Sequence, residues 1–246
     1  MINIDLNILQ TCSSTNDIAI KNAKKGFPEG SSFLSYSQTN GRGRNDNHWA
    51  SINGNLHLST ILKPKTNKNY WYQLSLIIGL SIFETLIKLG IDRNKIELKW
   101  PNDVLVQKRK ISGVLLESFD DFVVVGIGLN ILKTPQNETK WYTTKLKDHT
   151  NKDFSLKYVA NIILKTIFKN YYIWEDKGFN FFKKKINNII YNVNNKIVIK
   201  LNSQSNNIKG VFLGLGDNGS LKIKVDNEFL EYYSVDSFFF PDEELL

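Results

Sequence analysis

Hydrophobic residues recur along this chain with two different periods, which separate predicted helices from predicted strands. Apolar positions spaced by three and four residues predict long helices over residues 70–89 and 156–174, and a shorter helix is predicted over residues 15–25. Gly26 and Gly90 follow two of these segments, where a glycine commonly ends a helix. The spacing therefore predicts three helices in the first 174 residues.

Short apolar runs bounded by turn-forming residues predict strands between the helices. In the first 130 residues these runs cover positions 6–9, 32–37, 56–62, 97–99, 104–106, 112–117 and 122–127. Because helices and strands do not alternate strictly, the pattern favours an α+β fold with a mixed sheet.

The pattern changes after about Asn192. Four short alternating segments, separated by Gly, Asn and Asp turns, follow at positions 196–202, 208–215, 221–225 and 228–233. Such spacing is typical of a small all-β barrel. We therefore predict a larger domain over residues 1–192 and a small β-rich domain over residues 193–246.

The amino-acid composition excludes several classes of protein. One cysteine, Cys12, cannot form an intrachain disulfide and fits a reducing compartment, where we interpret it as a structural thiol. The three histidines, His48, His57 and His149, lack the spacing of a zinc site. The most apolar stretch, residues 74–83, is shorter than the ~20 residues of a membrane span, and the N-terminus lacks a basic signal-peptide region. We expect a cytoplasmic protein.

The formal net charge of +8 leaves nucleic acid, an anionic surface and an acidic protein open as partners. Lysine is spread along the whole chain and therefore locates no groove. The arginines are more informative, because there are only four and two of them, Arg42 and Arg44, lie in one glycine-rich stretch. That placement indicates a need for the planar guanidinium group.

This arginine stretch reads Gln-Thr-Asn-Gly-Arg-Gly-Arg over residues 38–44 and continues to Trp49. Gly41 and Gly43 let the backbone approach a ligand and present N–H groups to an anion, while the arginines add paired donors for phosphate or carboxylate. An RNA-binding loop and a plain surface turn remain alternatives for this segment alone.

Three further segments carry candidate chemistry. In Lys-Trp-Pro-Asn-Asp, residues 99–103, opposite charges lie at a strand-to-strand corner, where Asp103 could orient Lys99 or hold Mg²⁺; a structural Pro-Asn turn is the alternative. Lys110 enters an apolar strand, and Gly113 leaves space beside it. A lysine there is usually solvated, and an inward one needs an anionic partner.

The last segment is Gly-Ile-Gly-Leu-Asn, residues 126–130. Its two glycines would bring the backbone close to a flat ligand, and the amide of Asn130 can both donate to and accept from an adenine edge. A glycine-containing turn is the alternative.

Taken in order, the motifs Ser14-Thr15-Asn16, QTNGRGR with its tryptophan, KWPND, KISGVLLE and GIGLN resemble the biotin protein ligase family over roughly residues 8–132. The β-rich tail resembles the small SH3-like C-terminal domain of those enzymes. The resemblance implies a catalytic domain shared with lipoate ligases. It also implies ATP with Mg²⁺ and biotin as substrates, biotinyl-5′-AMP as intermediate and a lysine of an acidic biotin carboxyl carrier protein as acceptor. It is compatible with a monomer and with a homodimer, and it implies neither a prosthetic group nor a membrane.

The resemblance also assigns roles to residues. The biotin pocket would be lined by Ser14, Thr15, Asn16, Gln38, Gly41, Arg42, Gly43, Arg44, Trp49, Lys110 and Gly113. The nucleotide would be bound by Arg44, Trp49, Lys99, Asn102, Lys110 and Asn130. The catalytic groups would be Lys110, Arg44, Lys99 and Asp103, with Asp103 near the acceptor amine or the Mg²⁺ that arrives with ATP.

One departure and two rival interpretations accompany the resemblance. Many family members continue the loop as RRGR before the tryptophan, whereas residues 45–48 here are Asn-Asp-Asn-His, so that one phosphate-facing arginine is replaced and Asp46 adds a negative charge. A lipoate or octanoate ligase would have a similar fold. A DNA-binding repressor would need a DNA-binding domain before the catalytic domain. The Ser-Ser-Thr-Asn motif begins at residue 13, which leaves no room for one. We therefore expect the family form that lacks this domain and does not bind specific DNA. Weak nonspecific binding to nucleic acid stays open.

Overall fold

The larger part of the chain is built on one mixed seven-stranded sheet. The structure is a computed structural model that describes residues 4–45, 47–135, 142–201, 207–235 and 237–241. The strands lie in the order β1-β2-β3-β7-β6-β5-β4. Their bounds are β1 (Asp5–Cys12), β2 (Ser31–Gln38), β3 (Leu56–Leu62), β4 (Ile96–Lys99), β5 (Asp103–Val106), β6 (Arg109–Ser118) and β7 (Val123–Leu129). Only β1 and β2 are parallel among the paired neighbours of this sheet in the described residues, which confirms the predicted mixed α+β class.

The described residues form four α-helices: α1 (Thr15–Ala23), α2 (Leu74–Lys88), α3 (Leu156–Lys177) and α4 (Asn180–Asn187). Short 3₁₀ turns cover Lys68–Gln73, Arg93–Lys95 and Leu146–Asp148. The first three helices confirm the spacing argument. The fourth was not predicted, because its eight residues include three consecutive lysines and bury only Phe182 and Ile186.

Helix α2 lies at the centre of the core and is apolar on nearly every side. It packs against α3 and against β4, β5 and β6. Together with the preceding 3₁₀ turn, it is long and apolar enough to cross a bilayer by length and composition alone. The burial of 78% of its most apolar window inside the fold is that of a core helix.

The C-terminal part forms a five-stranded antiparallel sheet in the order β11-β10-β9-β8-β12. The strands are β8 (Lys196–Lys200), β9 (Ile208–Leu215), β10 (Leu221–Val225), β11 (Glu228–Tyr232) and β12 (Ser237–Phe239). This confirms the predicted β-rich tail, whereas β12 was not predicted and Asn202, placed in the first of these strands, lies outside the described residues. The SH3-like form and the division at Asn192 stay predictions.

The two sheets share one apolar core, which runs from α2 to Phe212 and Phe240. Polar contacts also join them. The indole N–H of Trp100 donates to the Gly219 carbonyl oxygen at 3.2 Å, and the Tyr72 hydroxyl donates to the Asn218 carbonyl oxygen at 2.8 Å. The C-terminal sheet is therefore packed directly against the segment that carries the KWPND motif.

Candidate functional site

The five sequence motifs meet on one face of the central strands β3, β7 and β6. Strand β7 lies between the other two, with Gly126 opposite both Ser59 and Leu115, and Gly128 opposite both His57 and Gly113. The start of α1, the arginine loop of residues 38–49 and the β4–β5 corner cover this face, because the side chains of Asn16, Trp49 and Asp103 lie against its glycines. An open cleft of about 450 Å³ lies between the arginine loop and β6.

Amide and hydroxyl groups gather where α1 begins. Oε1 of Gln38 accepts from the Thr15 backbone N–H at 2.8 Å and lies 3.1 Å from the Thr15 hydroxyl. Oγ of Ser59 lies 2.7 Å from Thr15 Oγ1 and 2.6 Å from Asn16 Oδ1. Ser14, Thr15, Asn16 and Ser59 are all buried. The cluster offers both donors and acceptors to a small polar ligand.

Two carboxylates bind the guanidinium of Arg42. The family resemblance had predicted that this residue lines the biotin pocket. Its guanidinium pairs with Asp17 and also donates to both carboxylate oxygens of Glu117, at 3.0 and 2.9 Å. Burial lowers the pKa of Arg42, but the hydrogen bonds and charges of the two carboxylates outweigh it, so that the pKa is raised. The Arg42 side chain is thus engaged by protein groups, and a contact of Arg42 with biotin stays a prediction.

The two glycines of the GIGLN motif make room for side chains of the site. A Cβ on Gly126 would overlap with the Asn16 amide, and a Cβ on Gly128 would overlap with the Trp49 indole. On the neighbouring strand, a Cβ on Gly113 would lie 3.2 Å from Cζ3 of Trp49. The flat group that lies beside Gly128 in the structure is therefore the indole of Trp49, and the approach of a flat ligand to this strand stays a prediction.

A cationic corner lies at the other end of the Trp49 indole. Nζ of Lys110 is 2.8 Å from Oδ1 of Asp103 and 5.5 Å from the Trp49 ring centroid. Nη1 of Arg44 lies 3.4 Å from Oδ1 of Asn102, whose amide donates to the Val114 carbonyl oxygen at 2.8 Å. Burial lowers the pKa of Arg44, with Asp103 opposing it. The structure therefore brings together the predicted residues of the arginine loop, the KWPND corner and the Lys110 strand.

The arginine loop closes on itself. The Trp49 N–H donates to the Gly41 carbonyl oxygen at 3.0 Å, and the Gly43 N–H donates to the Asn47 carbonyl oxygen at 2.7 Å. The Asn47 side chain donates to the Arg44 carbonyl oxygen at 2.7 Å. The segment that departs from the family pattern thus supplies a turn that supports the Arg44 backbone; Asp46 lies outside the described residues.

Asn130 is buried at the end of β7, where its amide donates to the Thr144 carbonyl oxygen at 3.1 Å. Its Oδ1 lies 3.4 Å from Nδ2 of the buried Asn55. Each of these contacts uses one of the amide's two donors or acceptors, which leaves capacity for an adenine edge. The assignment to adenine stays a prediction.

Lys99 lies apart from the cationic corner. Its ammonium is 5.6 Å from the ring centroids of Phe238 and Phe240 and 5.9 Å from that of Tyr191, at the junction with the C-terminal sheet. The side chain is buried. A contact between Lys99 and phosphate stays a prediction.

The sequence analysis did not predict four residues that contact the motif residues and support the site from outside it: Asp17, Asn55, Ser59 and Glu117. Asp17 and Glu117 sit in or directly beside motifs but look like solvated charges, and Ser59 interrupts an apolar strand without a motif of its own. Asn55 follows an Asn-Gly pair that reads as a turn; in the structure its Oδ1 accepts from three successive backbone N–H groups, of Ile131, Leu132 and Lys133.

Comparisons with known proteins match the segment that carries the motifs. Residues 9–130 match the biotin/lipoate A/B protein ligase family. Among solved structures, the chain is similar to a biotin protein ligase from Aquifex aeolicus in complex with biotin and ATP. The two are 32% identical with a TM-score of 0.84, over 96% of this chain and 99% of that one.

Two relatives with assigned functions are also similar. The bifunctional ligase/repressor BirA of Bacillus subtilis is 28% identical over 238 residues, which is 91% of this chain and 70% of the relative. The biotin–[acetyl-CoA-carboxylase] ligase of Mycobacterium tuberculosis is 33% identical over 132 residues, which is 52% of this chain and 50% of the relative.

Proposed function

The chain belongs to the biotin protein ligase family, and from this premise we propose that it forms biotinyl-5′-AMP from biotin and ATP and then transfers the biotinyl group to a lysine of a biotin carboxyl carrier protein. One observation carries the proposal. A cluster of amides and hydroxyls lies beside Gly126, and a cationic corner lies on the same sheet face beside Gly113, which pairs with Gly128. Gly126 and Gly128 are two residues apart on β7, which is roughly 7 Å along a strand.

The cluster and the cationic corner complement the two chemically different ends of biotin. The ureido group of biotin has two N–H donors and one carbonyl acceptor, and Thr15, Asn16 and Gln38 offer complementary groups. The carboxylate at the end of the valeryl chain would then reach Lys110 and Arg44. The closed arginine loop covers the ligand between these points.

The cationic corner supports the first chemical step. The carboxylate of biotin and the α-phosphate of ATP repel each other until their charges are neutralised, and Lys110 and Arg44 supply two positive charges. A carboxylate oxygen then attacks the α-phosphorus in line with the leaving pyrophosphate. The P–O bond to pyrophosphate breaks as the new P–O bond of the acyl phosphate anhydride forms.

The second step needs only positioning. The acceptor lysine gives its ammonium proton to water, and its amine attacks the acyl carbon. AMP leaves with the electrons of the broken C–O bond, and the nitrogen gives a second proton to water as the amide forms. Asp103 lies beside Lys110 and is well placed to attract the incoming ammonium group. No covalent intermediate with an enzyme side chain is required.

Mg²⁺ enters the proposal as a companion of ATP. Among the described residues no three His, Cys, Asp or Glu side chains lie together as a ligand set. Asp103 offers one carboxylate, which fits a Mg²⁺ ion otherwise held by phosphate oxygens and water. When bound, the ion would add positive charge at the phosphates.

The partner and the compartment follow from the same proposal. The acceptor would be an acidic carrier domain, to which the +8 net charge of the chain is complementary. The single cysteine fits a cytoplasmic location. The monomer and the homodimer both stay open, and the absence of specific DNA binding stays a prediction.

One assay tests the proposal. ATP–pyrophosphate exchange is measured with biotin, lipoate and octanoate in parallel. Exchange that depends on biotin, followed by biotinylation of a carrier domain, is the expected result. Exchange with lipoate or octanoate and none with biotin would instead make the chain a lipoate-type ligase, and no exchange with any of the three would overturn the proposal.

A further inference from the structure

We propose that Glu117 is a positioning residue, which fixes the orientation of the Asn16 amide for biotin and joins it to the arginine loop. This inference rests on the proposed function. Oε2 of Glu117 accepts from Nδ2 of Asn16 at 2.6 Å and from Nη2 of Arg42 at 2.9 Å, and Oε1 accepts from the same nitrogen at 3.0 Å. One carboxylate therefore holds a pocket residue and a loop residue together.

The first consequence concerns the Asn16 amide, which can exchange its donor and acceptor by a flip of 180°. An ionised carboxylate only accepts hydrogen bonds, so Glu117 keeps Nδ2 of Asn16 turned toward itself. Oδ1 then faces Ser59. In the flipped orientation two acceptor oxygens would meet at 2.6 Å. Gly126 confines the amide further, because even a methyl group there would overlap with it.

The orientation of the Asn16 amide also determines which hydroxyl groups of the cluster donate and which accept. Ser59 has one hydroxyl proton, and with Oδ1 of Asn16 facing it at 2.6 Å that proton goes to Asn16. The Thr15 hydroxyl, 2.7 Å from Ser59 Oγ, donates to Oε1 of Gln38 at 3.1 Å. Oε1 of Gln38 also accepts from the Thr15 backbone N–H at 2.8 Å. A single arrangement of donors and acceptors is thereby presented to the ureido group.

The second consequence concerns the arginine loop. Arg42 lies between Gly41 and Gly43, which have no side chains. Within these three residues, therefore, Arg42 alone can anchor the loop through a side chain. Glu117 on β6 and Asp17 on α1 hold its guanidinium from two elements. The Asp17 carboxylate also accepts from the Ser13 hydroxyl at 3.3 Å, but among the described residues it has no hydrogen bond with the Asn16 side chain. The two carboxylates therefore differ in whether they reach the biotin pocket.

This difference supplies the experiment, done on the full chain. Glu117→Gln keeps the shape of the side chain, but its amide can donate as well as accept and no longer dictates the Asn16 orientation. We expect biotin affinity, measured by calorimetry, to fall about tenfold or more, and the KM for biotin to rise in the exchange assay with the KM for ATP within about twofold. Glu117→Asp, which retains the carboxylate, should restore part of the affinity.

Asp17→Asn is the matched variant. It removes one carboxylate from the same guanidinium and leaves Asn16 alone, so we expect biotin affinity within about threefold of the parent. Equal losses in Glu117→Gln and Asp17→Asn would mean that Glu117 acts through Arg42 only, and would overturn the inference. So would parental affinity in Glu117→Gln. Thermal unfolding identifies any variant that fails to fold, and Glu117→Asp then decides the question.

The proposed function fails separately. A parent that binds no biotin would overturn that function and this inference with it. A parent that binds biotin and supports exchange, together with a Glu117→Gln variant that behaves like it, would overturn the inference alone.

Discussion

Nζ of Lys110 lies 2.8 Å from Oδ1 of Asp103, across the pairing of β5 and β6. The Lys110 side chain is 22% exposed and that of Asp103 is 16% exposed. Such a pair is stabilised only while both charges are present, since removal of one leaves the other buried without a counter-ion. The ammonium is therefore held in place before any substrate anion arrives, at the point where we propose that biotin and ATP meet.

Lys110→Ala should abolish most adenylate formation while the protein stays folded. A charge-assisted hydrogen bond to an anion is worth roughly 1.5–3 kcal/mol, so pyrophosphate exchange should fall by at least about tenfold. Arg109→Ala, on the exposed neighbour in the same strand, is the matched control and should exchange like the parent. A folded Lys110→Ala protein with near-normal exchange would remove Lys110 from the mechanism.

Gly128 and Trp49 make a second prediction, because the indole occupies the space of a side chain at residue 128. Gly128→Ala should displace the indole and lower the exchange rate by about tenfold, with a cost to stability of ~1–3 kcal/mol from overpacking. Trp49→Ala should lower exchange on its own account.

The double variant decides whether contact between Gly128 and Trp49 is the cause. With the indole gone, Gly128→Ala has nothing to displace, so its extra effect on stability in the Trp49→Ala background should shrink to within about 0.5 kcal/mol. Urea unfolding of the four proteins measures this coupling. Additive losses would show that Gly128 matters for some other reason.

Regular periodicity explains which parts of the fold could be predicted from the sequence. Strands β3, β9 and β10 have the predicted bounds, and α3 differs from prediction only at its C-terminal end. One residue period extends over the whole of α3 and β10, whereas β3 and β9 are mostly apolar runs bounded by turn-forming residues. By contrast, α4 is short and rich in lysine, and β12 has three residues, so neither carries enough periods to be recognised.

The site was predictable only where its residues belong to motifs. Lys110, Arg44 and Trp49 lie in motifs, and the structure brings them together. The contacts that hold such residues are long-range: Glu117 reaches Asn16 across 101 positions and Arg42 across 75. A single sequence contains no signal for these pairs, because their partners are fixed by the order of strands in the sheet.

His57 makes stability depend on pH. Burial lowers its pKa to about 4, against a weaker opposing hydrogen bond with the backbone of Ile52, whereas the pKa in an unfolded chain is about 6.5. As the pH falls below 6.5 the unfolded state takes up a proton first, so stability is full above that pH and is lost between about 6.5 and 4. At pH 5 the loss is about 2 kcal/mol.

Urea unfolding at pH 7.5 and 5.0 measures the contribution of His57. The difference in unfolding free energy between the two pH values should be smaller in His57→Gln than in the parent by about 2 kcal/mol. His48→Gln, at an exposed histidine, should retain the parental difference. Equal pH dependence in all three proteins would mean that the His57 ring is protonated in the folded state at pH 5.

A substitution of Phe238 tests the link between the C-terminal sheet and the KWPND segment. Its ring centroid lies 5.9 Å from that of Trp100 and 5.6 Å from the Lys99 ammonium, so it supports the KWPND segment. Phe238→Ala should lower the rate of transfer to a carrier by about tenfold. Biotin affinity should stay within about twofold, because the amide and hydroxyl cluster at the start of α1 makes no contact with β12 in the described residues. Phe229→Ala, at a ring 63% exposed in the same sheet, should change neither value. An equal loss of biotin affinity in Phe238→Ala would contradict this separation.

Arg44 separates holding the adenylate from making it. Its guanidinium lies 3.4 Å from Asn102 Oδ1, beside the proposed phosphate position, in a loop whose closure depends on backbone contacts of Gly43 and Asn47. Arg44→Gly removes the charge and loosens that loop, and a loss above ~1.4 kcal/mol would shorten retention of biotinyl-adenylate at least tenfold. Biotin alone should still bind through Thr15, Asn16 and Gln38. The variant should therefore release adenylate and biotinylate exposed lysines of an unrelated protein, while Arg44→Lys, which keeps the charge, should do so less. If Arg44→Gly forms adenylate at a measurable rate and retains it as long as the parent does, Arg44 does not hold the intermediate.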